Sequence, residues 1–494
     1  MITLERERAG RVLGVGPLAQ AVTGVSTDSR TLRRGDLFVA LRGERFDGHD
    51  YVGAAFGAGA SGAVVEKQVW SVRASGGVSG QPVYEVGDTL EALGALAREV
   101  RRLSGAAVFA ITGSVGKTST KDILRAMLGR VCRVAGTAGN QNNEVGVPLT
   151  LLGIEPGTQA VVTEMGMRGR GQIAALAAIA EPDVGVITNV HPVHLELLGT
   201  IEAIAEAKAE LVAGIKAGGT AVVPADCAPL ERCLVDCPTR MVRFGAGDEG
   251  CEAEVLGWVE GEQGGTERML VLHWPEGETR IPTGHIPKHT LENTLAAAAA
   301  CYAAGLPVAR CVSGLADVEF SRGRGQVMEA GGLYVIDDTY NANPAAMRAA
   351  LDELAQVAAR RKGRAVAVLG DMLELGSDQE RFHSEVGRYA AEVGVRMLWG
   401  VGPLATAMVE GFRDWWKASG EDESQWTAGH VSSCETWSPI ISALQSGDVV
   451  LLKGSRSVRL ENVVRRVVDQ TRMGRPAGGL LPADGNSDDT GETR

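Results

Sequence analysis

The feature that most narrows the fold is a junction near residue 112. Residues 108–111 form a short continuous apolar run. It passes directly into Thr112-Gly113-Ser114-Val115-Gly116-Lys117-Thr118, and helix-compatible sequence continues to about residue 130. A short apolar run bounded by turn residues suits a strand buried on both faces. Glycines in the turn let successive N–H groups converge on an anion, a lysine can reach terminal phosphates, and a threonine hydroxyl can bind a divalent cation. The extended phosphate-loop pattern has one more glycine, at the position held here by Ile111. A glycine turn with a coincidental lysine is the alternative, and the flanking strand and helix weigh against it.

Such a loop needs a sheet around it. Runs of the same kind occur at 37–41 and 62–65, at 160–163 and 184–187, and at 333–336, 365–369, 397–401 and 449–452. Helical stretches separate them, 90–103 among the first. Alternating strands and helices predict mostly parallel α/β sheets covered on both faces. At 494 residues the chain exceeds one core, which rarely grows past roughly 250–300 residues. The expected division is a small N-terminal α/β domain over 1–105, a central phosphate-loop domain with a parallel sheet over 106–322, and a doubly wound, Rossmann-like domain over 323–472. Residues 473–494 are rich in Gly, Pro, Asp and Ser and are expected to be disordered. No repeat of fixed period is present.

The formal charge of −12 removes the counterion-release term that drives nucleic-acid binding, so no nucleic-acid partner is expected. An anionic ligand must then be held locally, by helix N-termini, lysines or metal ions. Residues 1–10 are charged and carry no apolar core of a signal peptide. The most apolar window, 294–306, is too short for a membrane span and reads as a buried helix. A cytoplasmic monomer is the expectation. Eight cysteines are scattered, and Cys227, Cys233 and Cys237 lack CxxC spacing, so reduced thiols are expected.

Three further places carry candidate chemistry. Glu164 follows the run at 160–163, and the C-terminal ends of strands are where open α/β sheets bind ligands; a solvated glutamate is the plain alternative. Ile201, Ile204, Leu211 and Ile215 share a helix stripe whose missing slot is Lys208, and a lysine snorkelling from the stripe's edge fits equally. His289 and Asn293 open the Ala-rich helix, where a cap and a polar face are the alternative.

Taken together these strings resemble the Mur ligases. TGSVGKTST resembles that family's shorter phosphate loop, with Ser114 and Ser119 in place of threonines. The resemblance implies ATP as cosubstrate at Thr112, Gly113, Ser114, Val115, Gly116, Lys117 and Thr118. It implies Mg²⁺, two ions in all, at Thr118 and Glu164 and at His194 of the Thr188–Glu196 string TNVHPVHLE, where His191 replaces a usual glycine as a bystander. Lys208 falls where the family carries a carbamylated lysine, a further metal ligand. Lys117, Lys208, His194 and Glu164 are then the catalytic set. His289-Thr290-Leu291-Glu292-Asn293 resembles the family's adenine-side segment, with Pro287 where glycine is common. Arg324 or Arg322 falls where an arginine meets the γ-phosphate.

The C-terminal strings are more selective. Asp337-Asp338-Thr339-Tyr340-Asn341-Ala342-Asn343-Pro344 with Met347, Lys453-Gly454-Ser455-Arg456-Ser457 with Leu460-Glu461, and the segment 371–376 with His383 resemble the branch that adds D-alanyl-D-alanine. Asp338 and Tyr340 are expected at ATP, and Asn343, Lys453, Ser455 and Arg456 at substrate. Thr27-Asp28-Ser29-Arg30, Gly35-Asp36-Leu37-Phe38 and Asp47-Gly48-His49-Asp50 resemble its UDP-binding domain, which implies Ser29, Arg30, Asp47 and His49. The segments 139–143 and 146–149 continue the match and add Asn142; the resemblance runs to about residue 467. It implies an ATP-dependent ligase that joins D-alanyl-D-alanine to UDP-N-acetylmuramoyl-tripeptide through an acyl phosphate, in peptidoglycan precursor synthesis, with domain closure assembling the centre. The sister ligase that adds the third amino acid usually reads DYAHTPD and DNPR, neither of which occurs here. Folylpolyglutamate synthetase shares the loop but less of the C-terminal strings. A non-catalytic nucleotide-binding scaffold would need none of Lys117, Glu164, His194 and Lys208.

Overall fold

Parallel strands cannot be joined by tight turns, so each pairing requires a crossover, usually a helix. That rule organises this chain. The computed structural model describes residues 1–43, 46–71, 78–137, 139, 141–193, 195–246, 255–262, 268–275, 277–282 and 290–472. The expectations for His194, Pro287, His289 and the tail 473–494 lie outside them. The chain divides into two units, Met1–Ser321 and Arg322–Arg494.

The first unit holds two sheets. In the smaller, β1 (Val25–Ser26), β2 (Leu37–Val39), β3 (Gly62–Glu66) and β4 (Val83–Val86) pair in sequence order, all parallel. The helix Thr89–Ser104 follows. Asp88 starts it by accepting from the N–H groups of Leu90 and Glu91, and Gly105 ends it at φ 64°. Its apolar face buries Leu93, Leu96, Ala97 and Val100 in a core that also contains Val108 and Leu176 of the larger layer. Arg101 fastens the same junction: Nε donates to the Ala180 carbonyl (2.9 Å), and a terminal nitrogen donates to the Glu181 carbonyl (2.7 Å) and Asp183 Oδ2 (2.9 Å).

The larger sheet has nine strands. They are β5 (Ala107–Thr112), β6 (Val134–Gly136), β7 (Ala160–Glu164), β8 (Val184–Ile187), β9 (Thr220–Pro224), β10 (Arg240–Ala246), β11 (Val255–Glu262), β12 (Arg268–Trp274) and β13 (Gly277–Pro282). Their order is β13-β12-β11-β10-β9-β8-β5-β7-β6. Pairing is parallel from β6 to β11, and β12 and β13 extend the edge antiparallel. Side chains alternate across the sheet: Val108 and Ala110 face one core, Phe109 and Ile111 the other. The helices Gln172–Ala180 and Ile201–Ala213 pack on the first face. Lys117–Gly129 and Leu291–Ala303 pack on the second, where Ala296 to Ala300 are all buried. No helix among the described residues is long and apolar enough to cross a membrane.

The second unit has one six-stranded sheet, with β14 (Gln326–Ala330), β15 (Leu333–Asp338), β16 (Ala365–Gly370), β17 (Met397–Val401), β18 (Thr427–Val431) and β19 (Val449–Lys453). The order is β14-β15-β19-β16-β17-β18, and only β14 is antiparallel to its neighbour. Helices Pro344–Arg361, Gln379–Glu392 and Ala405–Ser419 cover one face; Ser438–Ser442 and Glu461–Arg472 cover the other. The chain thus reverses direction and inserts β19 between β15 and β16. Such a switch point opens a crevice at the strands' C-terminal ends, here Asp338, Lys453 and Gly370.

Two of those helices touch backbone to backbone. A Cβ on Gly387 would lie 1.8 Å from the Met408 carbonyl oxygen, and one on Gly411 would lie 2.3 Å from that of Ser384. Gly387→Ala therefore has to push the helices apart. It should destabilise the second unit by about 1–3 kcal/mol, the usual range for overpacking, read as a lower urea midpoint.

Candidate active site

The phosphate loop is shaped by the segment that follows β8. The Ser114 N–H donates to the Asn189 carbonyl (3.1 Å) and the Val115 N–H to Asn189 Oδ1 (2.9 Å). Thr188 Oγ1 and Asn189 Nδ2 donate to the Val115 carbonyl at 2.6 and 3.1 Å. Ser114 Oγ donates to the His191 carbonyl (3.0 Å) and accepts from the His191 N–H (2.8 Å). The curl requires glycine: Gly113 and Gly116 sit at φ 153° and 82°. A Cβ on Gly113 would meet Thr188 Oγ1 at 1.9 Å, and one on Gly116 would meet Asn293 Oδ1 at 2.0 Å. The helix Lys117–Gly129 starts at Gly116 with no side-chain cap among the described residues. Its first N–H groups are then donors for an anion. Lys117 Nζ folds over the loop onto the carbonyls of Gly113 (2.7 Å) and Ser114 (3.3 Å).

Beside the loop, Glu164 ends β7. Register pairs it with Ile111, one residue before the loop. Its carboxylate is buried and accepts from Thr118 Oγ1 (Oε2, 2.8 Å) and Asn142 Nδ2 (Oε1, 2.8 Å). The Glu164 N–H donates to Thr137 Oγ1 (3.1 Å), and Thr112 Oγ1 donates to the Met165 carbonyl (2.9 Å). Asn293 is buried in the first turn of Leu291–Ala303, where Oδ1 accepts from Thr120 Oγ1 at 3.3 Å. Among the described residues no group of three or more His, Cys, Asp or Glu could hold a metal. The oxygens of Thr118 and Glu164 are nonetheless adjacent and of the hard type that Mg²⁺ prefers.

Lys208 lies in Ile201–Ala213 with only 1% of its surface exposed, so it does not snorkel. Burial first, and the like charge of Lys117 second, push its pKa well below that of an ordinary lysine. No ion pair to it is present among the described residues. The backbone of His191, expected to be a bystander, helps to mould the loop. Burial holds its imidazole below the usual pKa, against an upward pull from Glu292.

In the small sheet, Arg30 is exposed and grips Asp28 with Nε and a terminal nitrogen, at 2.9 and 2.7 Å. That pairing pulls Asp28 down to about 2. Ser29 beside it is half-buried. Asp47 Oδ1 accepts from the N–H of His49 (3.0 Å) and lies 2.6 Å from Nδ1, while Nε2 accepts from the Glu66 N–H (2.8 Å). Nδ1 therefore carries the proton. Both ring nitrogens of the buried His49 are engaged within the chain, where they fix the turn.

In the second unit, Lys453 Nζ pairs with Asp338 Oδ2 (2.5 Å) and donates to the Asn341 carbonyl (3.0 Å). Asn343 caps Pro344–Arg361 through the Ala346 N–H (2.9 Å). The Arg324 guanidinium lies 4.0 Å from the Tyr340 ring centroid and that of Arg456 5.8 Å; Arg322 is exposed. Arg324 Nε is buried without a partner among the described residues. Ser455 Oγ accepts from the Leu373 N–H (3.1 Å), and the Ser455 N–H donates to the Asp371 carbonyl (2.9 Å). Burial pushes Asp371 up against the N–H bond it accepts from Ala405 (2.7 Å).

His383 closes this region from behind. It is fully buried; Nε2 accepts from the Met372 N–H (2.8 Å), and Nδ1 lies 2.6 Å from the Gln379 carbonyl to which it donates. Burial holds its pKa below the ordinary 6.5. The folded state thus resists protonation, which would also break the Met372 bond. The contribution of His383 to stability is complete above about pH 6.5 and falls as the pH drops below it. His383→Gln should flatten the acid side of the second unit's urea-midpoint profile; an unchanged slope would assign that loss elsewhere.

Comparison with known proteins follows the same outline. Residues 21–101 match the Mur ligase family catalytic domain, 111–301 the Mur ligase middle domain, and 323–456 the Mur ligase glutamate ligase domain. The chain is 34% identical to a UDP-N-acetylmuramoyl-tripeptide–D-alanyl-D-alanine ligase of Bacillus subtilis, over 91% of this chain and 93% of that one. A crystal structure of MurF from Acinetobacter baumannii superposes with a TM-score of 0.81 at 30% identity, covering 94% of this chain and 99% of that one. A Thermotoga maritima MurF solved with ADP gives 0.76 at 30%, covering 92% and 98%. With all three domain models matched in order and relatives aligned nearly end to end, the chain belongs to the Mur ligase family.

Proposed function

We propose that this ATP-dependent ligase joins the amine of D-alanyl-D-alanine to the terminal carboxylate of UDP-N-acetylmuramoyl-tripeptide, releasing ADP and phosphate. The observation that carries the choice of dipeptide is the register of β15 and β19. Asp338 of the DDTYNANP string stands opposite Lys453 of KGSRS, and the two are ion-paired. The two strings that resemble the D-alanyl-D-alanine-adding branch thus form one surface at the switch point of the second unit.

A carboxylate and an ammonium ion do not condense at neutral pH, because the carboxylate lacks a leaving group. In the proposed reaction a tripeptide carboxylate oxygen attacks the γ-phosphorus of ATP, forming the acyl phosphate and releasing ADP. The dipeptide amine, after losing a proton, attacks the acyl carbon, and phosphate leaves with the bonding pair. Phosphoryl transfer asks mainly for positioning and charge neutralisation. Lys117 and the N-terminus of Lys117–Gly129 supply both to the phosphates. By the family resemblance Asn293 and His289 are assigned to the adenine, Arg324 to the γ-phosphate, and Asp338 and Tyr340 to the nucleotide. Ser29, Arg30, Asp47, His49 and Asn142 are assigned to the UDP-substrate, with Asp47 and His49 acting through their turn. Asn343, Lys453, Ser455 and Arg456 are assigned to the dipeptide side.

Thr118 and Glu164 would hold one Mg²⁺; His194 with a carbamate on Lys208 would hold a second. Bound there, such ions neutralise phosphate charge. The carbamate reading rests on the family resemblance at Lys208 and on its burial without an ion pair among the described residues, which lowers its pKa and favours the neutral amine that adds CO₂. The reading includes residues 1–105, 106–322 and 323–472 as UDP-substrate, ATP and dipeptide domains, in a monomer that works in the cytoplasm.

Two experiments test this. Offered UDP-tripeptide, the enzyme should consume D-alanyl-D-alanine far faster than lysine or meso-diaminopimelate. Productive use of UDP-dipeptide with one of those single amino acids would instead identify the sister ligase. Lys208→Ala should lose turnover while keeping ATP affinity, and acetate or formate should restore part of it. Lys208→Arg should stay inactive although its charge is kept; an active Arg variant would make the lysine structural.

A further inference from the structure

A second lysine of the first unit is as deeply buried as Lys208, and the reaction above gives it no task. Lys121 is 1% exposed, in the second turn of Lys117–Gly129. It lies four residues after Lys117 and three after Thr118, on their face of the helix. Arg125 continues that face to Gly136, where its side chain packs at the end of β6. Beyond the end of β6, Lys121 Nζ donates to the Gly139 carbonyl at 3.1 Å. Three residues on, Asn142 holds Glu164, and Asn143 Oδ1 accepts from the Gly146 N–H at 2.9 Å to start the next helix. The Lys121 ammonium is balanced by Asp122 Oδ1 at 3.2 Å, and Asp122 Oδ2 accepts from the N–H of Ser321, the last residue of the first unit, at 2.9 Å.

We propose that Lys121 is a positioning residue for the UDP-substrate side of the site. It fixes Gly139 to the phosphate-loop helix, three residues before Asn142, so that Asn142 and Glu164 keep their places relative to Lys117 and Thr118. Asp122 allows this cation to be buried and ties the same turn to the chain's exit at Ser321. The inference rests on the proposed ligase reading, because it names the substrate whose binding suffers. A buried ammonium is a costly way to hold one carbonyl. A purely structural position would be served as well by an apolar side chain of similar length.

That alternative sets the experiment. Lys121→Met alone leaves Asp122 as an unpaired buried charge and could unfold the unit. The decisive protein is therefore Lys121→Met/Asp122→Asn, with Lys121→Gln/Asp122→Asn read in the same way should the first not fold. In whichever double variant keeps its melting temperature to within about 2 °C of wild type, KM for UDP-tripeptide should rise about tenfold or more. Affinity for an ATP analogue measured without divalent cation should stay within about twofold, because the loop and Lys117 are untouched. Amide hydrogen exchange around residues 141–143 should accelerate in the same protein. A stable double variant with wild-type KM and wild-type exchange overturns the proposal and leaves Lys121 a neutral core residue. Faster exchange alone, in an enzyme whose wild type does not ligate these substrates, supports the positioning role and sinks the substrate reading instead.

Discussion

A carboxylate removed from water has to be met by donors, and Glu164 is the place where that requirement organises the site. Its two oxygens take one donor each, from Thr118 on the phosphate-loop helix and Asn142 on the segment after β6. Its own N–H is held by Thr137. Because Glu164 pairs in register with Ile111, the residue before the loop, one strand end carries the reference point for three pieces of chain. A cation arriving at Thr118 would replace only one of the two side-chain bonds. In the proposed reading the other, from Asn142, would keep the carboxylate aimed, as an outer partner does for a metal ligand.

The two buried lysines make opposite arrangements with the same constraint. Lys121 meets a carboxylate and a carbonyl, as a buried cation ordinarily must. Lys208 meets the positive charge of Lys117 and an apolar stripe, so its neutral form is favoured. A protein selected for stability alone would place leucine there. Keeping an ionisable group at such a cost fits the proposed reading, in which Lys208 works as an amine and not as an ammonium.

Much of this was legible in the sequence, for physical reasons that also explain what was not. Central parallel strands are buried on both faces, so 108–111, 160–163, 184–187 and 449–452 are continuous apolar runs, and each is a strand. The edge of the nine-stranded sheet carries no such signal. Arg240–Ala246 and Val255–Glu262 mix charge and glycine, and the antiparallel turn-back at β12 and β13 did not announce itself. Motif residues that point at ligands were named because their chemistry is visible in a string. The loop-shaping roles of Asn189 and His191 are not visible in the string, because Asn189 acts largely through a carbonyl and an amide and His191 through its backbone. For His49 the string carries the residue type but not its surroundings: both ring nitrogens are engaged within the chain, at Asp47 and the Glu66 N–H.

The same distinction answers how a chain of net charge −12 can hold a triphosphate. Attraction over long distance works against it, and screening limits that penalty to about a Debye length, roughly 8–10 Å. In the proposed reading binding comes from groups within contact in the first unit: the uncapped start of Lys117–Gly129 and the ammonium of Lys117. Lys117 is already folded onto the carbonyls of its own loop, so phosphate oxygens replace weaker acceptors and do not have to pull the lysine out of bulk water. In a chain of net charge −12 such a site favours a ligand that brings its own counter-ion over a bare anion. In the proposed reading the adjacent oxygens of Thr118 and Glu164, of the hard type that a divalent counter-ion takes, would hold it.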